Sequence, residues 1–339
     1  VEAMRTLLAA ADLVTPMALR VSATLRLADH LAAGTTGAAE LAAAAGVDEA
    51  ALTRLLRYLV ARGVFTEPAP GEFGLNPAAE LLRDGRPDRL RDWLDLTGPI
   101  GRADLAFGSL LDVVRTGKPG YPMIHGRGFW DDLAAEPALA TAYDTLMGGK
   151  RQWAATTLAA LDWSRSRHVV DVGGGNGTLL SCLLAAHPHL RGTVVDRPTS
   201  AKAAGAVLAS AGVADRGEFR AGDFFEPLPV HGADTYLLSS ILHDWDDAAA
   251  TAILRRCAEA AAPGGRVLLC ELVAMAGPDR RTVTHMDLCM LVYFGGRERT
   301  AADFAALAGA AGLEPRSVTP LPPHDWGNAL VEYAVPAAR

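Results

Sequence analysis

From Glu2 to about Trp163 the apolar positions recur mostly three to four residues apart, the spacing of amphipathic helices. Thr15 followed by Pro16 reads as an N-cap with proline at the first helical position, with an apolar face running through Met17, Val21, Leu25 and Leu31. Asp48 is placed to cap a second helix, LTRLLRYLVARG, that stops at Gly63. VFTEPAPGEFGLN then gives two short extended runs around Pro-Gly, a hairpin by its turn chemistry, and Asn76-Pro77 opens another helix. After Trp163 the period changes. HVVDVG, GTVVDRP, RGEFRAGDFF, ADTYLLSS and GGRVLLCELV are short β-branched or apolar runs separated by helix-length segments. Such alternation predicts a parallel sheet flanked by helices, whose ligands bind beyond the carboxyl ends of the strands.

Length and composition narrow the picture. A chain of 339 residues suits two domains. The boundaries expected are a helical, winged-helix-like domain over 1–98, a helical linker and pocket region over 99–163, and an α/β domain over 164–339. Helix, helix, hairpin is the order of a winged helix, which raises nucleic-acid binding. However, Glu40, Asp48 and Glu49 dilute Arg54, Arg57 and Arg62, and the wing carries Glu67 and Glu72. With a formal charge of −7, a phosphate-backbone partner is not expected, since such binding rests on clustered Lys and Arg. The apolar, alanine-rich start would suit a subunit interface instead. The four cysteines are scattered without metal-ligand spacing. No apolar segment is read as long enough for a membrane span, and no secretory pattern is read. A cytoplasmic protein without metal is the expectation.

The chemistry lies at the strand ends. VVDVGGGNGTLL ends an apolar run in an acid, Asp171, and then places Gly173, Gly174, Gly175 and Gly177 around Asn176. It is not a dinucleotide fingerprint, because Thr178 stands where the third glycine belongs, and no G-K-[ST] follows to make a P-loop. A carboxylate beside this bare backbone would repel a pyrophosphate but attract a sulfonium or an ammonium. About twenty residues beyond the last glycine, Asp196 ends the next strand, where an acid accepts hydrogen bonds from ribose hydroxyls. Asp223 and Phe224, at the third strand end, suit an adenine amino group and ring face. Glycine loop, ribose acid and adenine acid together describe S-adenosylmethionine, with S-adenosylhomocysteine as product.

The fourth strand leads into LLSSILHDWDDAAATAILRRC, where Asp246 or Asp247 is the N-cap of the following helix and His243 sits just before it. A phenol, with a pKa near about 10, needs a base at neutral pH, and imidazole, titrating near about 6.5, contributes about 10²–10⁴-fold in that role. The remaining work is in-line positioning. A carboxylate on the second ring nitrogen would hold the tautomer. Glu271, ending the fifth strand, and Glu298, in GGRERT, are both candidates.

DVGGGNG, VVDRP, GDFFEPLP, LHDWDD, APGGRVLLCE and MDLCMLVYFGGRERT, with the helical N-terminal third, resemble the small-molecule O-methyltransferases. That group includes plant caffeic-acid and flavonoid enzymes and bacterial enzymes that tailor aromatic polyketides, and TPMALRVSATLRLADHLAAG is most similar to the anthracycline-type branch. The resemblance spans nearly the whole chain. It implies a class I, Rossmann-like α/β methyltransferase domain joined to a mainly helical, winged-helix-like dimerisation domain, and a homodimer through the N-terminal helices. It implies that Gly173, Asp196, Asp223, Phe224 and Ser239 contact S-adenosylmethionine, and that His243 is the base flanked by Glu271 and Glu298. Ser239 stands where the plant enzymes have lysine, so that contact is altered. Met286, Met290 and Phe294 form a stripe on one helical face, more often core than pocket. The family places this helix at the acceptor site, which implicates Met290, with Asp287 and Phe294 behind it. Met147 matches a family position near the acceptor methyl. Such a lining suits a flat aromatic acceptor. Some relatives have drifted to decarboxylation or hydroxylation, so those reactions, N-methylation, and a ligand-sensing winged-helix regulator are the competing readings.

Overall fold

The computed structural model describes residues 1–159, 161–274, 281–321 and 328–337. They divide into two compact units, Val1–Leu105 and Ala106–Arg339. The first unit is helical apart from a hairpin of β1 (Thr66–Ala69) and β2 (Glu72–Gly74). Its core is built by Leu27, Leu41, Leu56, Leu59, Phe65 and Phe73, all essentially buried. Asp48 caps the helix Glu49–Ala61 through the N–H of Ala51, and Asn76 caps the helix begun by Pro77 through the N–H of Ala79. On the helix before the hairpin, Arg57 forks onto the wing's Glu67 and Arg62 turns to the Tyr58 hydroxyl.

The N-terminal helices depart from the sequence reading at two points. Thr15 is not a cap. The helix Val14–Thr24 starts two residues earlier, with Leu13 at the cap position, and the Asp12 carboxylate accepts the N–H of Val14 at 2.9 Å and of Thr15 at 3.3 Å. Asp12, three residues upstream of Thr15, takes over the role, and the Thr15 hydroxyl pairs with that of Tyr58 at 2.6 Å. The apolar face does not continue to Leu31 on one helix, because Arg26, at φ 54°, ends it and starts the helix Leu27–Ala32. In addition, the 23 residues Glu2–Thr24 are apolar and long enough, by length and composition, to cross a membrane, contrary to the expectation that no segment reaches that length. Asp12 breaks this run into Glu2–Ala10 and Val14–Thr24.

The second unit is a seven-stranded sheet of β3 (His168–Val172), β4 (Arg191–Asp196), β5 (Gly217–Ala221), β6 (Thr235–Ser239), β7 (Arg266–Leu272), β8 (Glu314–Pro320) and β9 (Asn328–Ala334). The spatial order is β5-β4-β3-β6-β7-β9-β8. All five strands expected from the sequence are present and mutually parallel, and β9 runs antiparallel to both β7 and β8. The chain leaves β3 toward β4 on one side and later returns to β6 on the other, which makes the carboxyl end of β3 the switch point where an open α/β sheet forms its crevice.

β3 lies between two cores, so its apolar run is continuous. Val170 and Val172 face one, with Leu238, Leu269 and the helix Asp247–Ala260; Val169 faces the other, with Leu237, Leu268 and the helix Thr178–Ala186. Asp246, not Asp247, is the N-cap of the helix after His243 and accepts the N–H of Ala249. The helices from Ala106 to Ala159 belong to this second unit.

Candidate active site

The glycine loop packs against the neighbouring strand. Gly173 donates its N–H to the Val195 carbonyl at 2.8 Å, and Gly175 donates to Asp196 Oδ2 at 2.7 Å. The carboxylate at the end of β4 is therefore oriented by the loop itself, and the N–H of Arg197 fixes its other oxygen at 2.7 Å. Gly173 has a φ of +71°, and a Cβ there would lie 2.5 Å from Ile241 Cδ1. The sequence needs glycine here both for the left-handed turn and for the close approach.

A cavity of about 300 Å³ opens over this loop. Gly173, Gly175, Asp196, Asp223 and Phe224 line it together, as does Met147. These residues fit S-adenosylmethionine: a bare backbone edge, an acid for ribose, and an acid with a ring face for adenine. The structure also places residues there that sequence reasoning missed. Trp130, Asp131, Tyr143, Asp144, Asn176, Arg197, Phe225, Ser240 and Trp245 also line it. The rings of Trp130 and Phe294 stack at 5.3 Å, and Trp245 meets Phe225 edge-on at 4.8 Å. Only the apolar–aromatic spacing of FWDDL hinted at the Trp130 wall, and nothing local tied it to the strand ends.

Three of the cofactor candidates lie elsewhere. Asp171 is buried under the loop rather than in the cavity lining; a Cβ on Gly174 would touch its carboxylate at 2.6 Å. Gly177, at φ +73°, is the N-cap residue of the helix Thr178–Ala186 and stays outside the lining. Ser239 is buried within β6, and its neighbour Ser240 reaches the cavity instead.

The structure separates the two carboxylates proposed around His243. Glu298 Oε1 lies 2.9 Å from His243 Nδ1, and both side chains are buried. Glu271, fully buried at the end of β7, does not bond the ring. Its Oε1 accepts the N–H groups of Ile241 and Leu242, each at 2.9 Å, and so fixes the backbone that carries the histidine. On the other side, His243 Nε2 lies 3.4 Å from Asp244 Oδ1. Asp244, and not His243, is part of the cavity lining. Burial opposes charge on the imidazole, but Asp244, Glu298 and Glu271 outweigh it and push His243 up to about 9. Burial also raises Glu271, against the pull of His243 and of its two N–H donors.

Of the acceptor-side candidates, Met290 is buried and Phe294 half-buried in the helix Arg281–Phe294. Phe294 reaches the cavity only through the Trp130 ring it stacks on. Asp287 is exposed and accepts the backbone N–H of Glu298 at 2.8 Å, holding the loop rather than lining the pocket. Among the described residues no three His, Cys, Asp or Glu are grouped to hold a metal ion.

A mostly parallel sheet with its cavity at the switch point, a glycine loop, and acids at successive strand ends are the features of a class I methyltransferase domain. Residues 107–314 match an O-methyltransferase domain and residues 8–84 an O-methyltransferase dimerisation domain. The chain is 51% identical over 314 residues to the 2,7-dihydroxy-5-methyl-1-naphthoate 7-O-methyltransferase of Streptomyces carzinostaticus, covering 92% of this chain and 93% of that one. It is 47% identical to aclacinomycin 10-hydroxylase of Streptomyces purpurascens, over 97% of this chain and 91% of that one. A crystal structure of an O-methyltransferase from neocarzinostatin biosynthesis, in complex with S-adenosylmethionine and 2-hydroxy-5-methyl naphthoic acid, superimposes with a TM-score of 0.89 at 49% identity. That match covers 97% of this chain and 98% of the other. This chain belongs to the S-adenosylmethionine-dependent O-methyltransferase family.

Gly173→Ala is expected to weaken S-adenosylmethionine binding at least about tenfold in calorimetry, since a methyl group there needs both a strained backbone and a displaced Ile241. Unchanged affinity would show that the loop has room the geometry denies it.

Proposed function

We propose that this protein methylates a phenolic hydroxyl of a flat aromatic natural product of polyketide type, with His243 as general base, and that it works as a homodimer through its N-terminal helices. The observation that carries the reading is the buried Glu298–His243 pair, from which Asp244 leads to the wall of the cavity. When bound, S-adenosylmethionine supplies a methyl group on a positively charged sulfur.

The chain's own residues do the rest. Asp196, held by Gly175, would take the ribose hydroxyls, while Asp223 and Phe224 would take the adenine. Met147, with the Trp130 and Tyr143 rings, offers an apolar face on which a flat acceptor can lie. His243 removes the proton of the acceptor hydroxyl, and Glu298 on Nδ1 fixes the tautomer and stabilises the imidazolium that results. That the named relatives act on a naphthoate and an aclacinomycin supports an aromatic acceptor. Support for the dimer comes from the match to a dimerisation domain and from Met4, Leu7, Leu8 and Leu13, all exposed on the first unit. The hydroxylase among the relatives makes hydroxylation the reading to exclude.

His243→Ala should lower kcat about 10²–10⁴-fold with S-adenosylmethionine affinity kept, read by methyl-labelled turnover on dihydroxynaphthoates and calorimetry. Near-wild-type turnover would remove His243 from the mechanism, and oxygen uptake or carbon dioxide release without a methylated product would favour the drifted chemistry. The base must be neutral, and the surrounding carboxylates hold His243 charged until the pH approaches about 9. The rate therefore rises with pH: kcat/KM should fall about tenfold per unit below that value, and Glu298→Gln should move the limb toward the ordinary histidine value of about 6.5. A limb that does not respond to Glu298→Gln assigns it to another group. Sedimentation at micromolar concentration should return a dimer; a clean monomer overturns the assembly.

A further inference from the structure

The turn Ile241–Trp245 carries the histidine between β6 and the helix Asp247–Ala260, and a short turn with unpaired carbonyls would not hold an imidazole still. Glu271 secures it from one side through two N–H groups. On the other side, the carbonyls of Leu242, His243 and Trp245 are met by one segment, 297–299. The Arg297 N–H donates to the His243 carbonyl at 2.9 Å. Arg299 donates from Nη1 to the Leu242 carbonyl and from Nη2 to the Trp245 carbonyl, each at 2.7 Å. Its guanidinium also pairs with Asp247 Oδ1 at 2.8 Å. The Arg299 side chain is 0% exposed, whereas that of Asp247 is 55% exposed. Space is tight as well, since a Cβ on Gly296 would lie 2.1 Å from the His243 carbonyl oxygen.

The backbone of Arg299 is fixed independently. It pairs in parallel with Val273, just past β7, and its carbonyl accepts the N–H of Ala274 at 2.9 Å. The residue before it, Glu298, bonds the histidine ring. Burying a guanidinium is costly unless every donor direction is used, and here the fork bridges the residues on both sides of the histidine. A lysine has the charge but not the fork.

We infer that Arg299 is a positioning residue for the methyl-transfer reaction: it clamps the Leu242 and Trp245 carbonyls so that His243 keeps the orientation in which Glu298 meets one ring nitrogen and the other lies beside Asp244 at the cavity wall. This rests on the reading of His243 as the base. Arg299 is not itself part of the cavity lining and does not touch the ring; it acts through the turn, by way of the Leu242 and Trp245 carbonyls.

The test is a double-variant cycle. Arg299→Lys should lower kcat about 10- to 100-fold, the scale of a small misplacement of a catalytic group. KM and calorimetric affinity for S-adenosylmethionine should stay within about twofold, and the acid limb of the pH profile should move. In the His243→Ala background the same change should cost nothing further. If the two losses multiply, or if Arg299→Lys leaves kcat untouched, the clamp is overturned while the role of His243 stands. If His243→Ala is itself fully active, the base reading fails first, in an arm that does not involve Arg299, and the clamp falls with it. Should Arg299→Lys not fold, Asp247→Asn loosens the same guanidinium from the exposed side. It should give about a 3- to 10-fold loss in kcat that is again absent without His243, and a loss that persists there overturns the inference.

Discussion

A carboxylate buried at the end of a parallel strand organises this site. Glu271 sits at the carboxyl end of β7 with no exposed surface, and it spends one oxygen on the N–H groups of Ile241 and Leu242. Its second oxygen has no hydrogen-bond partner among the described residues. Leaving a carboxylate half-satisfied in a core costs several kcal/mol when it is ionised, which is why burial drives Glu271 toward its neutral form. The compensation is the charge that His243 carries nearby. Asp244, Glu298 and Glu271 together favour the imidazolium against burial, and the turn, the ring and the base strength of the ring form one electrostatic unit.

That unit explains how the site can tolerate the chemistry expected of it. A histidine held near the pKa of a phenol gives up and takes the proton over a small energy difference. Of the carboxylates that raise it, Asp244 also lines the cavity, where, among the described residues, Asp131, Asp144, Asp196, Asp223 and Asp244 stand against Arg197 as the one cation, a surplus of acid that favours a positive ligand. Arg197 is turned toward the Trp130 wall, where it caps the carbonyl at 3.0 Å and lies over the ring at 5.3 Å.

Much of this was legible in the sequence because strand ends are marked twice, by the end of an apolar run and by the polar residue that follows. Asp196, Asp223 and Phe224 were placed that way, and each lines the cavity. Asp171 is marked in the same manner yet is buried beneath the glycine loop, because a strand end is a position along the chain and not a direction in space. Glu271 and Glu298 could not be told apart for a similar reason. Which carboxylate meets a ring nitrogen depends on how residues far apart in sequence are brought together, and no local period records it. The antiparallel strands β8 and β9 went unread: Pro315 and Pro320 disguise the first, although NALVEYA alternates as a strand should. The aromatic wall around Trp130 is likewise set by packing against Phe294 and Trp245.

The unread pair has a consequence for how copies of this chain can meet. β8 is the outermost strand, exposed along its whole length, with a proline at its second residue and another at its last. A proline offers no N–H to a new neighbour, and the flanking Glu314 and Arg316 would have to be stripped of water to accept one. At the opposite border, β5 carries the exposed Glu218 and Arg220, paired with each other. Both borders are therefore poor templates for strand addition, β8 through its prolines and β5 through its exposed charges, which works against edge-to-edge association of the sheet.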